Sequence, residues 1–294
     1  MRIMLTAFSA VSLVAVTLFG GTDRASADPG WNNGDPNGVA DLVVNGDLLS
    51  HQWVVRDEKL SGLLCSVQEG GVTPGTHRVI RFSVQTPNIG NGPINLGDPN
   101  LHIQANDGLY EFASCHNHFH FKHYTLYELI DPVTGFAWRT AKHGFCMIDT
   151  NPAPPSVGNN VPTGPRVYAS CGRVGIPGNQ GISVGWADEY IFRLGGQYFV
   201  LDGGDGQAVV PPGTYLLRIT VNPAYEPDAV GNCPPIAHKD PNGKCHQLPE
   251  SNYFNNMAQT LITIPDHPGK GDQNGPLAND KGVIDVNDEA LDED

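Results

Sequence analysis

Between Cys115 and Tyr124 the chain reads CHNHFHFKHY, with histidines at 116, 118 and 120 interleaved with Phe119 and Phe121. That alternation points to an extended strand. Side chains at i, i+2 and i+4 of a strand share one face, so three imidazoles can be offered to a single ion. Neutral imidazole suits zinc or copper, and the run by itself does not choose between them. In a flat strand the outer two Cα atoms would stand about 13 Å apart, close to the limit for two imidazoles reaching one ion. The segment is therefore expected to bend or to end in a loop. His123 sits at an odd offset from His120 and turns to the other face, which predicts packing or hydrogen bonding there rather than ligation.

The rest of the chain has 35 Gly and 24 Pro in 294 residues, and beyond its N-terminus no long segment repeats apolar residues at i, i+3 and i+4. This predicts an all-β fold, a β-sandwich core with long Pro/Gly-rich loops and little helix. Strand-like runs are His77–Gln85, Phe121–Ile130, Phe136–Met147, Glu189–Leu194, Gln197–Leu201, Tyr215–Val221 and Met257–Ile264, each bounded by turn residues. Asn151–Gly185 is a long connection of the kind that usually carries function or lacks order. The folded domain is expected over 41–264.

Arg2, the apolar run Ile3–Gly20 and the small residues Ala25-Ser26-Ala27 compose a secretory signal peptide over 1–27. The expectation is a secreted protein with no stable membrane insertion after cleavage. A linker over 28–40 precedes the domain. A disordered acidic tail over 265–294 follows it, since nine acidic residues and two basic ones lie between Asp266 and Asp294. The net charge of -14 disfavours nucleic acid as a partner and suits cationic substrates. All six cysteines lie beyond the signal, an even number that in an oxidising compartment favours three disulfides. Cys233 and Cys245 bracket a Pro/Gly-rich insertion and form the easiest local pair. Cys115, beside His116, is read as a disulfide half, with a thiolate ligand as the alternative.

Around the histidines, YEFASCHNHFHFKHYTLYEL resembles the copper-binding segment of the lysyl oxidase family. TAKHGFCMIDT (Thr140–Thr150) is similar to that family's Lys-x-x-Phe-Cys-x-x-Asp segment, and QGISVGWADEY (Gln180–Tyr190) to its Gly-x-Ser-x-Gly…Asp-x-Tyr segment. PPGTYLLRITVNP and PESNYFNNMAQTLI resemble its C-terminal strands, and TPNIGNGPINLGDP the version found in bacterial members. The matches are collinear from Asp41 to Ile264. The resemblance implies copper on His116, His118 and His120, and a self-derived lysine tyrosylquinone made from Lys142 and Tyr190. It implies oxidation of primary amines, in particular lysine side chains of peptides or proteins, to aldehydes. Molecular oxygen would be consumed, and hydrogen peroxide and ammonia released. Asp188 and Asp149 are the candidate bases. The resemblance also implies a bridge from Cys115 to Cys171, leaving Cys65 with Cys146. A calcium site is implied on Asp41, Leu42, Glu250, Asn252, Asn255 and Asn256, with Asn252 standing where an aspartate is found. Ala113 replaces a histidine before the copper core, the loop after His120 is shorter, and Trp186 and Gly196 stand where many members have a cysteine pair.

Three other readings compete. An electron-transfer copper protein would use two of the histidines and the Cys115 thiolate. A zinc hydrolase would activate water on the same three histidines. A non-catalytic immunoglobulin-like adhesion module would use neither.

Overall fold

The computed structural model describes residues 38–140, 142, 144–158, 161, 163–266 and 275–278. The expected signal peptide, most of the linker and most of the acidic tail lie outside the described residues.

Among the described residues the fold is all-β, built from small antiparallel sheets with only short helices between them. The largest sheet has four strands in the order Met257–Ile264, Gly213–Val221, Thr125–Ile130 and Ala137–Arg139. Its central strand, GTYLLRITV, buries Tyr215, Leu217, Ile219 and Val221 and leaves the residues between them more open. That period of two is the signature of a sheet with one face on the core. A second sheet joins Trp53–Leu60, Gly75–Phe82 and Tyr198–Val200. Phe82 of this sheet stands edge-on to Tyr127 of the first, with centroids 5.2 Å apart, and stacks on Phe199 at 5.4 Å. The two sheets thus meet through an aromatic core. Each such ring pair contributes about 0.5–1.5 kcal/mol beyond its buried area.

Two further three-stranded sheets carry the residues of interest. One pairs Tyr110–Ala113, His118–Lys122 and Gly144–Phe145; the other pairs Asn151–Pro152, Trp186–Tyr190 and Val84–Pro87. Phe145 ties them together. Its ring meets those of Tyr124, Tyr127 and Tyr190 edge-on, with centroids 5.7, 5.6 and 5.2 Å away. Gly46–His51 begins on an Asn45 cap and Pro99–Ala105 on an Asp98 cap; a further short helix is Cys65–Gly70. Among the described residues, no helix is long and apolar enough to cross a membrane.

Several strand boundaries differ from the expected ones. His77–Gln85 is broken at Ser83, whose backbone N–H turns to the Gln52 carbonyl. Phe136–Met147 divides into Ala137–Arg139 and Gly144–Phe145, which join different sheets. The strand expected over Glu189–Leu194 lies earlier, at Trp186–Tyr190. Trp53–Leu60 was not expected because its charged Arg56-Asp57-Glu58-Lys59 core hides the pattern. In the fold those charges pair laterally: Arg81, itself fully buried, makes two bonds to Glu58, and Arg78 bonds Asp57. Arg81 also donates to the carbonyls of Phe192 and Leu194, pinning the loop that follows Tyr190.

The disulfides are Cys65–Cys115, Cys146–Cys171 and Cys233–Cys245. The local pair is as expected, but Cys115–Cys171 and Cys65–Cys146 are not formed. The partners are exchanged because Cys65–Gly70 packs on the turn that carries Cys115, with Cα atoms 5.3 Å apart. Cys171 instead bridges to Cys146, next to the strand Gly144–Phe145, while the Gly172 carbonyl accepts from the Phe119 N–H on the neighbouring strand His118–Lys122.

Candidate active site

The strand Tyr110–Ala113 turns back through residues 114–117 into His118–Lys122, pairing Ala113 with His118 and Glu111 with His120. Asn117 closes the turn with a φ of 59°, and its N–H donates to the Ala113 carbonyl at 2.7 Å. The histidine run is therefore bent, as reach demands. His116 sits in the turn, while His118 and His120 share one face of the strand. All three are buried. His123 takes neither expected role: it is exposed, with a φ of 61°, at the bend before Thr125–Ile130.

The three rings form a triangle with centroid separations of 5.6 Å (His116–His118), 5.2 Å (His116–His120) and 4.9 Å (His118–His120). The Nε2 atoms of His118 and His120 stand 3.1 Å apart. Two nitrogens bound to one ion at about 2.0–2.1 Å would be separated by about 2.8–3.4 Å for angles between 90° and tetrahedral, so this pair already has the spacing of two ligands. Among the described residues, no three His, Cys, Asp or Glu side chains are closed into a metal cage. His116 would have to bring its own nitrogen inward to complete one. Burial holds the His120 imidazole well below the usual histidine range, assisted by the charge of Lys142 and then by His118 and His116. A neutral ring is the form that ligates. Nitrogen-rich donors of this kind fit copper or zinc.

Gly144 makes the close approach possible. It lies across from Lys122, and a Cβ added to it would fall 2.5 Å from Cβ and 2.6 Å from Nδ1 of His120. Gly144→Ala is therefore expected to displace the His120 ring, costing about 1–3 kcal/mol and weakening any metal binding by the three imidazoles. Denaturant unfolding and a metal titration check this, and unchanged affinity in a folded variant would contradict it.

Lys142 and Tyr190, far apart in sequence, come together. The Lys142 ammonium lies 4.7 Å from the centre of the Tyr190 ring and 5.3 Å from that of Phe145. Tyr190 is buried, packs edge-on against Phe145, and donates its hydroxyl to the Cys146 carbonyl at 2.8 Å. One element, the short strand Gly144–Phe145 and its flanks, thus touches His120, Lys142 and Tyr190.

The two candidate bases separate. Asp188 lies two residues before Tyr190 on the same strand, hence on the same face, and its charge helps raise the pKa of Tyr124 and Tyr127 after the larger effect of burial. Asp149 is instead a structural carboxylate. It is fully buried and accepts from the N–H groups of Val167, Tyr168 and Ser183 and from the Ser183 hydroxyl, at 2.6–3.0 Å. Its four donors staple the 151–185 loop. Cys115 is in a disulfide, so the reading that gave it a thiolate ligand role fails.

The proposed calcium ligands mostly gather as well. Glu250 is buried and accepts from the Leu42 N–H, Asn222 and Asn256 at 2.6, 2.6 and 2.7 Å, while Asn255 donates to Asp41 at 2.9 Å. The side-chain oxygens of Asn255 and Asn256 are buried without a hydrogen-bond partner. Buried unpaired oxygens beside two carboxylates are what a hard cation would satisfy. Asn252 does not join them: it is exposed, and its oxygen accepts from the Phe254 N–H in a local turn.

The lysyl oxidase family profile matches residues 40–231. The chain belongs to the lysyl oxidase family. It is 29% identical over 237 residues to human lysyl oxidase homolog 4, covering 77% of this chain and 25% of that protein. It is 28% identical over 196 residues to chicken lysyl oxidase homolog 2, covering 63% and 22% respectively. The chain thus spans about a quarter of the length of these curated relatives. Within the lysyl oxidase match, the residue that sequence reasoning passed over is Glu69, on the helix Cys65–Gly70. It accepts from His116 Nδ1 at 2.5 Å and from the Cys115 N–H at 2.7 Å. Only its place four residues after a cysteine hinted at this.

Proposed function

We propose that this lysyl oxidase family member is a secreted copper- and quinone-dependent amine oxidase. The observation that carries this reading is the approach of the Lys142 ammonium to 4.7 Å from the Tyr190 ring centre, beside the imidazole triangle. His116, His118 and His120 would hold copper, and Lys142 and Tyr190 would together form lysine tyrosylquinone. Loaded in this way, the site would supply oxidation of a primary amine to an aldehyde, with oxygen reduced to hydrogen peroxide and ammonia released.

The chain's own residues prepare that chemistry. Phe145 wedges edge-on against Tyr190 and fixes its ring plane, and the bond to the Cys146 carbonyl fixes its hydroxyl. Burial of the Tyr190 ring would keep water from the quinone once it formed, protecting it from side reactions. Asp188, on the Tyr190 face of its strand, is the base candidate. Peptidyl lysine and other primary amines are the proposed substrates, and the net charge of -14 would draw such cations in. Asp41, the Leu42 backbone, Glu250, Asn255 and Asn256 would hold a calcium ion away from the chemistry.

Peptide mapping of copper-loaded, aerobically matured protein tests the covalent step. A single linked species containing Lys142 and Tyr190 is expected. Recovery of both residues only in separate peptides would remove the mechanism.

A further inference from the structure

We propose that Glu69 is a positioning residue for the metal site, setting the tautomer of His116 so that Nε2 faces the ion. The role rests on the copper reading above and extends it to a carboxylate outside the histidine run. Glu69 reaches His116 Nδ1 with one oxygen, at 2.5 Å, and the backbone N–H of Cys115 with the other, at 2.7 Å. A carboxylate in this setting accepts, so the imidazole proton resides on Nδ1. The nitrogen that remains for ligation is Nε2, the same atom that His118 and His120 turn toward each other at 3.1 Å. One contact thereby makes the donor set uniform. Histidine ligands of metal sites commonly give their second nitrogen to a carboxylate in this manner.

The placement of Glu69 is built rather than incidental. His116 lies in a turn, where ladder hydrogen bonds do not restrain it as they restrain His118 and His120. The Cys65–Cys115 disulfide ties the helix Cys65–Gly70 to the residue just before His116, and Glu69 lies four residues, one helical turn, after Cys65. Covalent bond and carboxylate therefore act on the same turn from the same helix.

Nitrogen-15 NMR of the metal-free protein, labelled at histidine, reads the tautomer directly. Wild-type His116 is expected to carry its proton on Nδ1, and Glu69→Ala to lose that preference, a change that mere anchoring of the helix would not produce. Copper(II) competition titration should then show roughly 10- to 100-fold weaker binding for Glu69→Ala. Glu69→Gln, whose amide oxygen can still accept, should recover much of the affinity. Thermal unfolding of each variant establishes that the disulfide-tied fold is intact. A wild-type His116 protonated on Nε2, or copper affinity in folded Glu69→Ala equal to wild type, overturns the proposal. Wild-type protein that takes up no copper would bring down the proposed function together with this role; an unchanged variant beside a copper-binding wild type brings down this role alone.

Discussion

Replacing Tyr190 by phenylalanine is expected to abolish amine oxidation and labelling by carbonyl reagents while leaving copper uptake close to that of the parent. If the ring is the precursor of the proposed quinone, its loss returns the reaction toward the uncatalysed rate, a fall of at least ~10⁶-fold. Copper should persist because the imidazoles of His116, His118 and His120, and not the phenol, are the proposed ligands, while the Tyr190 hydroxyl donates to the Cys146 carbonyl. Removing that bond costs about 1–2 kcal/mol of stability, visible in denaturant unfolding but well short of unfolding the domain. Phe145 and its aromatic neighbours would still pack against the new ring. Retained oxidase activity with a labelled carbonyl would end the assignment of Tyr190, and loss of copper would show that the hydroxyl serves the metal instead.

The second large effect concerns Glu250 and the calcium ion proposed for it. In metal-free protein, burial pushes the Glu250 carboxyl up to about 8 from its ordinary 4.5, the donors Asn222, Leu42 and Asn256 only partly opposing this and Asp41 adding to it. Between those two values the folded chain keeps a proton that the unfolded chain has released. Its contribution to stability is therefore full below about pH 4.5 and is lost as pH rises through about 8. At about 1.4 kcal/mol per unit, the loss amounts to about 4–5 kcal/mol. Urea unfolding in a chelator at several pH values, wild type against Glu250→Gln, should show the wild type falling more steeply across this window. Calcium competes with the proton for the same oxygens, so its stabilising effect should be greater at pH 8 than at pH 5.5. Parallel pH curves for the two proteins would mean that the three donors already hold the carboxylate ionised. Calcium that stabilises neither protein would remove the cation from Glu250.

The histidine face was legible because a strand period of two is a local rule: His118 and His120 point together whatever the rest of the chain does. The need for a bend was legible too, from reach alone, and His116 duly lies in the turn. The disulfide partners were not. Which half-cystine meets Cys115 depends on whether the helix Cys65–Gly70 or the segment around Cys171 packs on that turn, and no local pattern encodes that choice. Asp149 and Asp188 look alike as sequence, since both are acids near family motifs. Burial against three backbone N–H groups makes one a loop staple, while strand parity puts the other beside Tyr190. Trp53–Leu60 was hidden for a related reason: its carboxylates Asp57 and Glu58 are neutralised across the sheet by Arg78 and Arg81, partners more than twenty residues away.

By itself, the sequence determined the all-β class, the shared face of the imidazoles and, through collinear motifs, the lysyl oxidase family. Those rest on spacing and residue type, which the chain carries without folding. Only the tertiary structure decided that Lys142 meets the Tyr190 ring, that Glu69 meets His116, and that Cys65 rather than Cys171 meets Cys115. Each is a contact across tens of residues, set by which sheets and helices bury one another's apolar faces, and that is a property of the packed core rather than of any one segment.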